Sequence, residues 1–243
     1  MNILTSNVII PNKDLQIQGF LAQPNTTEIL PAVIVIQEIF GVNDHIKDVT
    51  CRIAKEGYIA IAPAIYQRQA PNFTAGYTPE AIEIGKKYKD NTKAEELLSD
   101  IQATVDYLYQ LPQVKKTGVG SIGFCFGGLV VYLTATLPDI KATASFYGAG
   151  IANWCPNENF ATIDKTKDIK GKIYCFYGEK DPSIPLEQVA QIEIQLQKDN
   201  ISHQIFRYSN ADHGFFCDAR ASYHQESAQD AWEKVLELFK TSL

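Results

Sequence analysis

Residues 121–128 read SIGFCFGG, a cysteine set between Gly123 and Gly127 with a third glycine at 128. Upstream, VGSIGF (119–124) has the apolar, β-branched make-up of a buried strand. Downstream, FGGLVVYLTATL (126–137) is apolar all round, as a buried helix is. The stretch is therefore a strand–turn–helix junction with Cys125 on the turn. A side chain held on so tight a turn has strained backbone dihedrals. Its neighbours two positions either side crowd each other, which is the reason for glycine at both. The dipole of the helix that follows favours a thiolate, and its free N–H groups can hold a developing oxyanion. The competing reading is a cysteine packed as a small hydrophobe. The strand before it and the helix after it favour a nucleophile.

The same alternation extends in both directions. AVIVIQ (32–37), YIAIAPAIY (58–66), ATASFYG (142–148), KIYCFYG (172–178) and HQIFRY (203–208) read as strands. Between them, helical spacing places Ile46, Val49 and Ile53 on one face, with Asn43 or Asp44 as cap and Gly57 as stop. Residues 94–110 repeat apolar positions at 97, 101, 105 and 108, and 186–200 and the last twenty residues are amphipathic. Residues 67–93 are polar and show no strand; they read as an excursion over the surface. The first 25 residues alternate without helix signals and predict antiparallel edge strands. The order implies one domain over 1–243: a mostly parallel sheet with helices on both faces. Ligands of such sheets sit at the carboxyl ends of the strands.

The totals exclude several functions. A net charge of −6 argues against a nucleic-acid partner. No segment approaches the roughly 20 apolar residues of a membrane span, and the opening MNILTSNVIIPNKD has no signal-peptide pattern. Five scattered cysteines, with no CxxC and no histidine pair at ligand spacing, fit reduced thiols in the cytoplasm and predict no metal site.

A thiol nucleophile needs a base, and the base an orienting group. YGEKDPSIP follows strand 172–178 and puts Asp181 at its carboxyl end. SNADHGFF follows the last strand and puts His213 in a loop. Nucleophile, acid, histidine is the chain order of the α/β-hydrolases. Asp212 and Glu179 are rival acids: the first adjoins His213 and consecutive side chains point apart, and the second lies closer to its strand. His45, His203 and His224 read as surface residues. A rival function on the same scaffold is a thiol redox sensor or small-molecule binder, with Cys217 or Cys175 as resolving partner.

With QEIFGVN (37–43), GYIAIAPAIYQRQAP (57–71), GFCFGG (123–128), YGEKDPSIP (177–185) and ADHGFF (211–216) in view, the chain resembles the dienelactone hydrolase family of α/β-hydrolases. The resemblance implies a cysteine hydrolase that uses no cofactor and cleaves a small ester or lactone; the chain is expected to be a monomer or small homo-oligomer. It implies that Glu38 lies beside Cys125 and takes part in switching the thiol to thiolate when substrate binds. It also implies an oxyanion hole made by the backbone N–H groups of Ile39 and Phe126. Members acting on dienelactones hold the substrate carboxylate with arginines, one of them soon after the histidine. Here HGFFCDAR departs from that pattern: Cys217 stands where the arginine is expected, and Arg220 is the nearest alternative. Arg68 is a second candidate contact, and Lys86 and Lys87 are substitutes without arginine's fork. Phe124, Phe126, Phe215, Phe216 and Trp154 are candidates for an apolar lining.

Overall fold

A computed structural model describes residues 2–243. Eight strands form one sheet in the order β1-β2-β4-β3-β5-β6-β7-β8. They are β1 (Ile3–Asn12), β2 (Leu15–Pro24), β3 (Leu30–Ile36), β4 (Ile59–Pro63), β5 (Val114–Phe124), β6 (Ile140–Phe146), β7 (Lys172–Gly178) and β8 (His203–Tyr208). β1 and β2 pair antiparallel with each other, and β2 antiparallel with β4; every pairing from β4 through β8 is parallel. The alternating N-terminal pattern thus becomes the antiparallel edge.

Strands covered on both faces carry no polar alternation, which is why Ala32–Ile36 reads as a continuous apolar run; all five residues are fully buried. The helices are α1 (Asp44–Lys55), α2 (Pro79–Asp90), α3 (Ala94–Gln110), α4 (Phe126–Thr134), α5 (Leu186–Lys198) and α6 (Gln225–Ser242). α1 and α6 meet on one face, where the Arg52 guanidinium lies 4.4 Å from the Trp232 ring centroid. α3, α4 and α5 cover the other. All nine residues of α4 are buried, matching its unbroken apolar sequence.

Two local expectations need correction. Residues 67–93 are not simply a surface excursion, because α2 forms within them. Thr78 caps it, its hydroxyl accepting from Ala81 N at 3.2 Å, and Pro79 occupies the first turn. A half-polar sequence concealed it, since only Ala81 and Gly85 are buried. Gly85 is needed there: a Cβ would stand 2.3 Å from the carbonyl oxygen of Ile39. The second concerns His45, which is not a surface residue. It is 6% exposed, wedged against Phe124 and Phe216 at centroid distances of 5.6 and 6.3 Å.

Candidate active site

Cys125 sits between β5 and α4 with φ 55° and ψ −116°, a conformation that costs a non-glycine residue about 1–3 kcal/mol. Crowding explains the glycines. A Cβ on Gly123 would lie 2.1 Å from Gly127 O, and one on Gly127 would lie 2.4 Å from Gln37 O. The elbow is tied down by Cys125 N donating to Phe146 O at 3.0 Å. Phe126 opens α4, so its N–H is among those a helix leaves without an intrahelical acceptor.

Asp181 follows β7 and is buried; His213 follows β8. His213 Nδ1 and Asp181 Oδ2 are 2.7 Å apart, and Asp181 Oδ1 accepts from Ser183 N, also at 2.7 Å. Both carboxylate oxygens therefore have partners, which fixes the plane of the imidazole. Of the rival acids, Asp212 instead accepts from the backbone N–H of His213, and Glu179 is exposed. Burial by itself would lower the His213 pKa. The charge of Cys125, and the hydrogen bond to Asp181 with its charge, more than reverse this, taking it up to about 10.

Glu38 lies two residues past the end of β3, just before the turn at 39–40, and is 1% exposed. Its Oε1 accepts from Arg220 Nη1 at 3.0 Å, while Oε2 is buried with no partner. Burial raises its pKa above the usual carboxylate range, with Arg220, His213 and Tyr77 pulling the other way. Tyr77 receives hydrogen bonds from Cys217 Sγ at 3.2 Å and Asn43 Nδ2 at 3.3 Å.

Cys125, His213, Ile39, Phe126 and Arg220 line one cavity of about 390 Å³. Trp154 also faces it, as do Lys86 and Lys89 from α2. Sequence reasoning missed Lys89, which stands three residues after Lys86 on the same helical face; the Thr-Pro start signal at 78–79 would have found the helix. It also missed Tyr147, buried beside His213 at a centroid distance of 5.1 Å and held at φ 36°.

Five candidate contacts lie elsewhere. Arg68 pairs with Asp100 on α3, Nη2 to Oδ1 at 2.6 Å, and does not line the cavity. Phe215 is fully buried against Phe146 and Tyr147, because a large ring after β8 is drawn into the core. Phe124 and Phe216 stack on each other in the same core. Cys217 is fully buried against Tyr77. Arg68 thus has a structural role: Asp100 is 2% exposed and also accepts from Asn12 Nδ2 at 2.7 Å. Arg68→Ala is expected to leave KM unchanged while costing about 1–3 kcal/mol, since it strands a buried carboxylate; thermal denaturation beside ester kinetics checks both halves.

The sheet order and the two helix layers are those of an α/β-hydrolase. The chain belongs to the dienelactone hydrolase family, whose profile matches residues 17–243. It is an ester and lactone hydrolase by that membership. It is 59% identical over 243 residues to a provisionally named carboxymethylenebutenolidase of Synechocystis, covering 100% of this chain and 99% of that one. A Bradyrhizobium protein provisionally named a 2-oxo-3-(5-oxofuran-2-ylidene)propanoate lactonase is 33% identical over 220 residues, covering 90% of this chain and 86% of that one. The crystal structure of a provisionally named dienelactone hydrolase from Klebsiella pneumoniae superposes with a TM-score of 0.90 at 33% identity, covering 99% of each chain.

Proposed function

We propose that the protein hydrolyses small esters or lactones through an acyl-thioester on Cys125. The observation that carries this is the His213–Asp181 pair, with Asp181 Oδ2 at 2.7 Å from Nδ1, in one cavity with Cys125. His213 takes the thiol proton, and the thiolate attacks the carbonyl carbon. The N–H groups of Ile39 and Phe126 hold the oxyanion. The leaving oxygen departs with the proton from His213. Water, deprotonated by His213, then attacks the thioester, and the thiol leaves as the acid forms. Oriented donors of this sort contribute roughly 3–4 kcal/mol each to related acyl transfers. Glu38, in its pairing with Arg220, is assigned the switching role that the family resemblance implies.

The cavity's cations support an anionic substrate. Arg220, Lys86 and Lys89 face the same space as Cys125, and the named substrate of the Bradyrhizobium relative is a carboxylate. The test is a panel of matched esters and lactones with and without a carboxylate, followed by mass spectrometry of the quenched enzyme. A single acyl adduct on the Cys125 peptide is expected; turnover without an adduct, the enzyme being unaltered, would point to direct attack by water instead. The double variant Lys86→Gln/Lys89→Gln is expected to raise KM for the carboxylate member about tenfold, with kcat and the neutral ester unaffected, because point charges bind ground and transition state alike.

A further inference from the structure

Outside the cavity that holds Cys125, three side chains of metal-ligand type converge. A ring nitrogen of His45, Sγ of Cys217 and a carboxylate oxygen of Asp218 all lie within 4.8 Å of one another. Two of the three groups are buried and Asp218 is exposed. His45 stands in the first turn of α1 at 6% exposure, its ring braced by Phe124 and Phe216. Its Nε2 is buried and has no hydrogen-bond partner. A buried nitrogen without a partner is a cost that a ligand would remove.

We propose that His45, Cys217 and Asp218 form a binding site for a thiophilic divalent cation of the zinc class. An imidazole, a thiol and a carboxylate are an N, S, O set that suits zinc or cobalt and not calcium or magnesium, which take oxygen throughout. The imidazole is ready to bind. Its Nε2 is already out of water and without a partner, so coordination removes no existing hydrogen bond. Thiolate and carboxylate together offset the charge of the ion, while Arg52 and Arg220 reduce the affinity. Tetrahedral zinc with bonds of ~2.0–2.3 Å sets its ligands roughly 3.5 Å apart, so the three groups must close by about 1 Å. Exposed Asp218 has the freedom to supply most of that movement, and its exposure leaves the fourth position to water.

The proton balance is simple. Cys217 now donates its S–H to Tyr77 Oη at 3.2 Å, and burial keeps its thiol pKa raised. On binding, the metal–sulfur bond forms, the S–H proton leaves to solvent, and nothing is oxidised or reduced. Tyr77 then loses that donor. Tyr77 is also one of the groups that pull the Glu38 pKa down, so the ion is coupled electrostatically to the edge of the catalytic cavity.

Cys125, His213 and Asp181 are themselves a thiol, imidazole and carboxylate, so the experiment uses the Cys125→Ala protein. Titration with Co²⁺ is expected to give a saturable thiolate-to-cobalt absorption at one ion per chain. One proton should be released per ion, and Zn²⁺ should displace the cobalt. The absorption should vanish in Cys125→Ala/Cys217→Ser. In Cys125→Ala/Asp218→Asn, a change at an exposed position that spares the fold, cobalt should bind at least about tenfold more weakly. An absorption that appears only when Cys125 is present, or that survives Cys217→Ser, would assign the ion to other groups and overturn the proposal. So would the absence of saturable binding in the Cys125→Ala protein.

Discussion

Replacing Cys125 by alanine is expected to lower kcat on a p-nitrophenyl ester by on the order of 10⁴-fold or more, because the only sulfur that lines the cavity among the described residues is then gone. The residual rate would come from the oxyanion donors and from binding, which keep working without the nucleophile. Folding should be nearly unchanged. Alanine keeps a Cβ at φ 55°, so the strain at the elbow stays, and the lost sulfur packs only a partly exposed position. Cys125→Ser separates geometry from acidity. The hydroxyl occupies the same place but needs a stronger base, so a loss of about 10²–10⁴ is expected. Steady-state kinetics with matched circular dichroism checks the pair. Full activity in the alanine variant would remove the nucleophile from the mechanism.

The elbow was legible because its constraint is local. Gly123 and Gly127 are forced by backbone overlap within five residues of chain, and such a pattern survives in any reading of the sequence. The parallel core was legible for a similar reason, as Val33 to Ile36 have no solvent-facing side to mark with polarity. What failed was everything set by distant packing. Cys217 and Phe215 lie within four residues of His213, yet the chain turns them into the core while Arg220, farther along, comes back to Glu38 at 3.0 Å. Arg68 looked free because its partner, Asp100, lies on a helix that only the folded sheet brings near. His45 carries no sequence sign of burial: it is one polar residue on a helix whose apolar face starts at Ile46. Lys89 needed α2, and α2 was hidden by a composition that exposes most of its length.

Asp181→Asn is the sharper probe, since it alters one atom type and leaves the shape. An amide can donate its N–H to His213 Nδ1, which leaves the ring proton on the nitrogen that must receive the proton of Cys125. A fall in kcat of about 10³–10⁴ is expected, the size seen when a triad histidine is held in the wrong tautomer. The imidazole titration should move as well. Burial lowers the His213 pKa, while Cys125 and Asp181 carry it to about 10. Deleting the Asp181 charge leaves burial less opposed, so the midpoint must fall. A folded pKa of about 10 against an ordinary 6.5 makes the proton stabilising, fully so below about pH 6.5, with the contribution lost as pH rises through 10. The wild type should therefore lose stability between neutral pH and 10, by on the order of a few kcal/mol, and Asp181→Asn should lose less over the same range. Nitrogen NMR of the ring and denaturant melts at stepped pH measure the two effects separately. If kcat and the titration both stay at wild-type values, Asp181 does not orient His213 and the carboxylate doing so must be sought among the other acids near the ring.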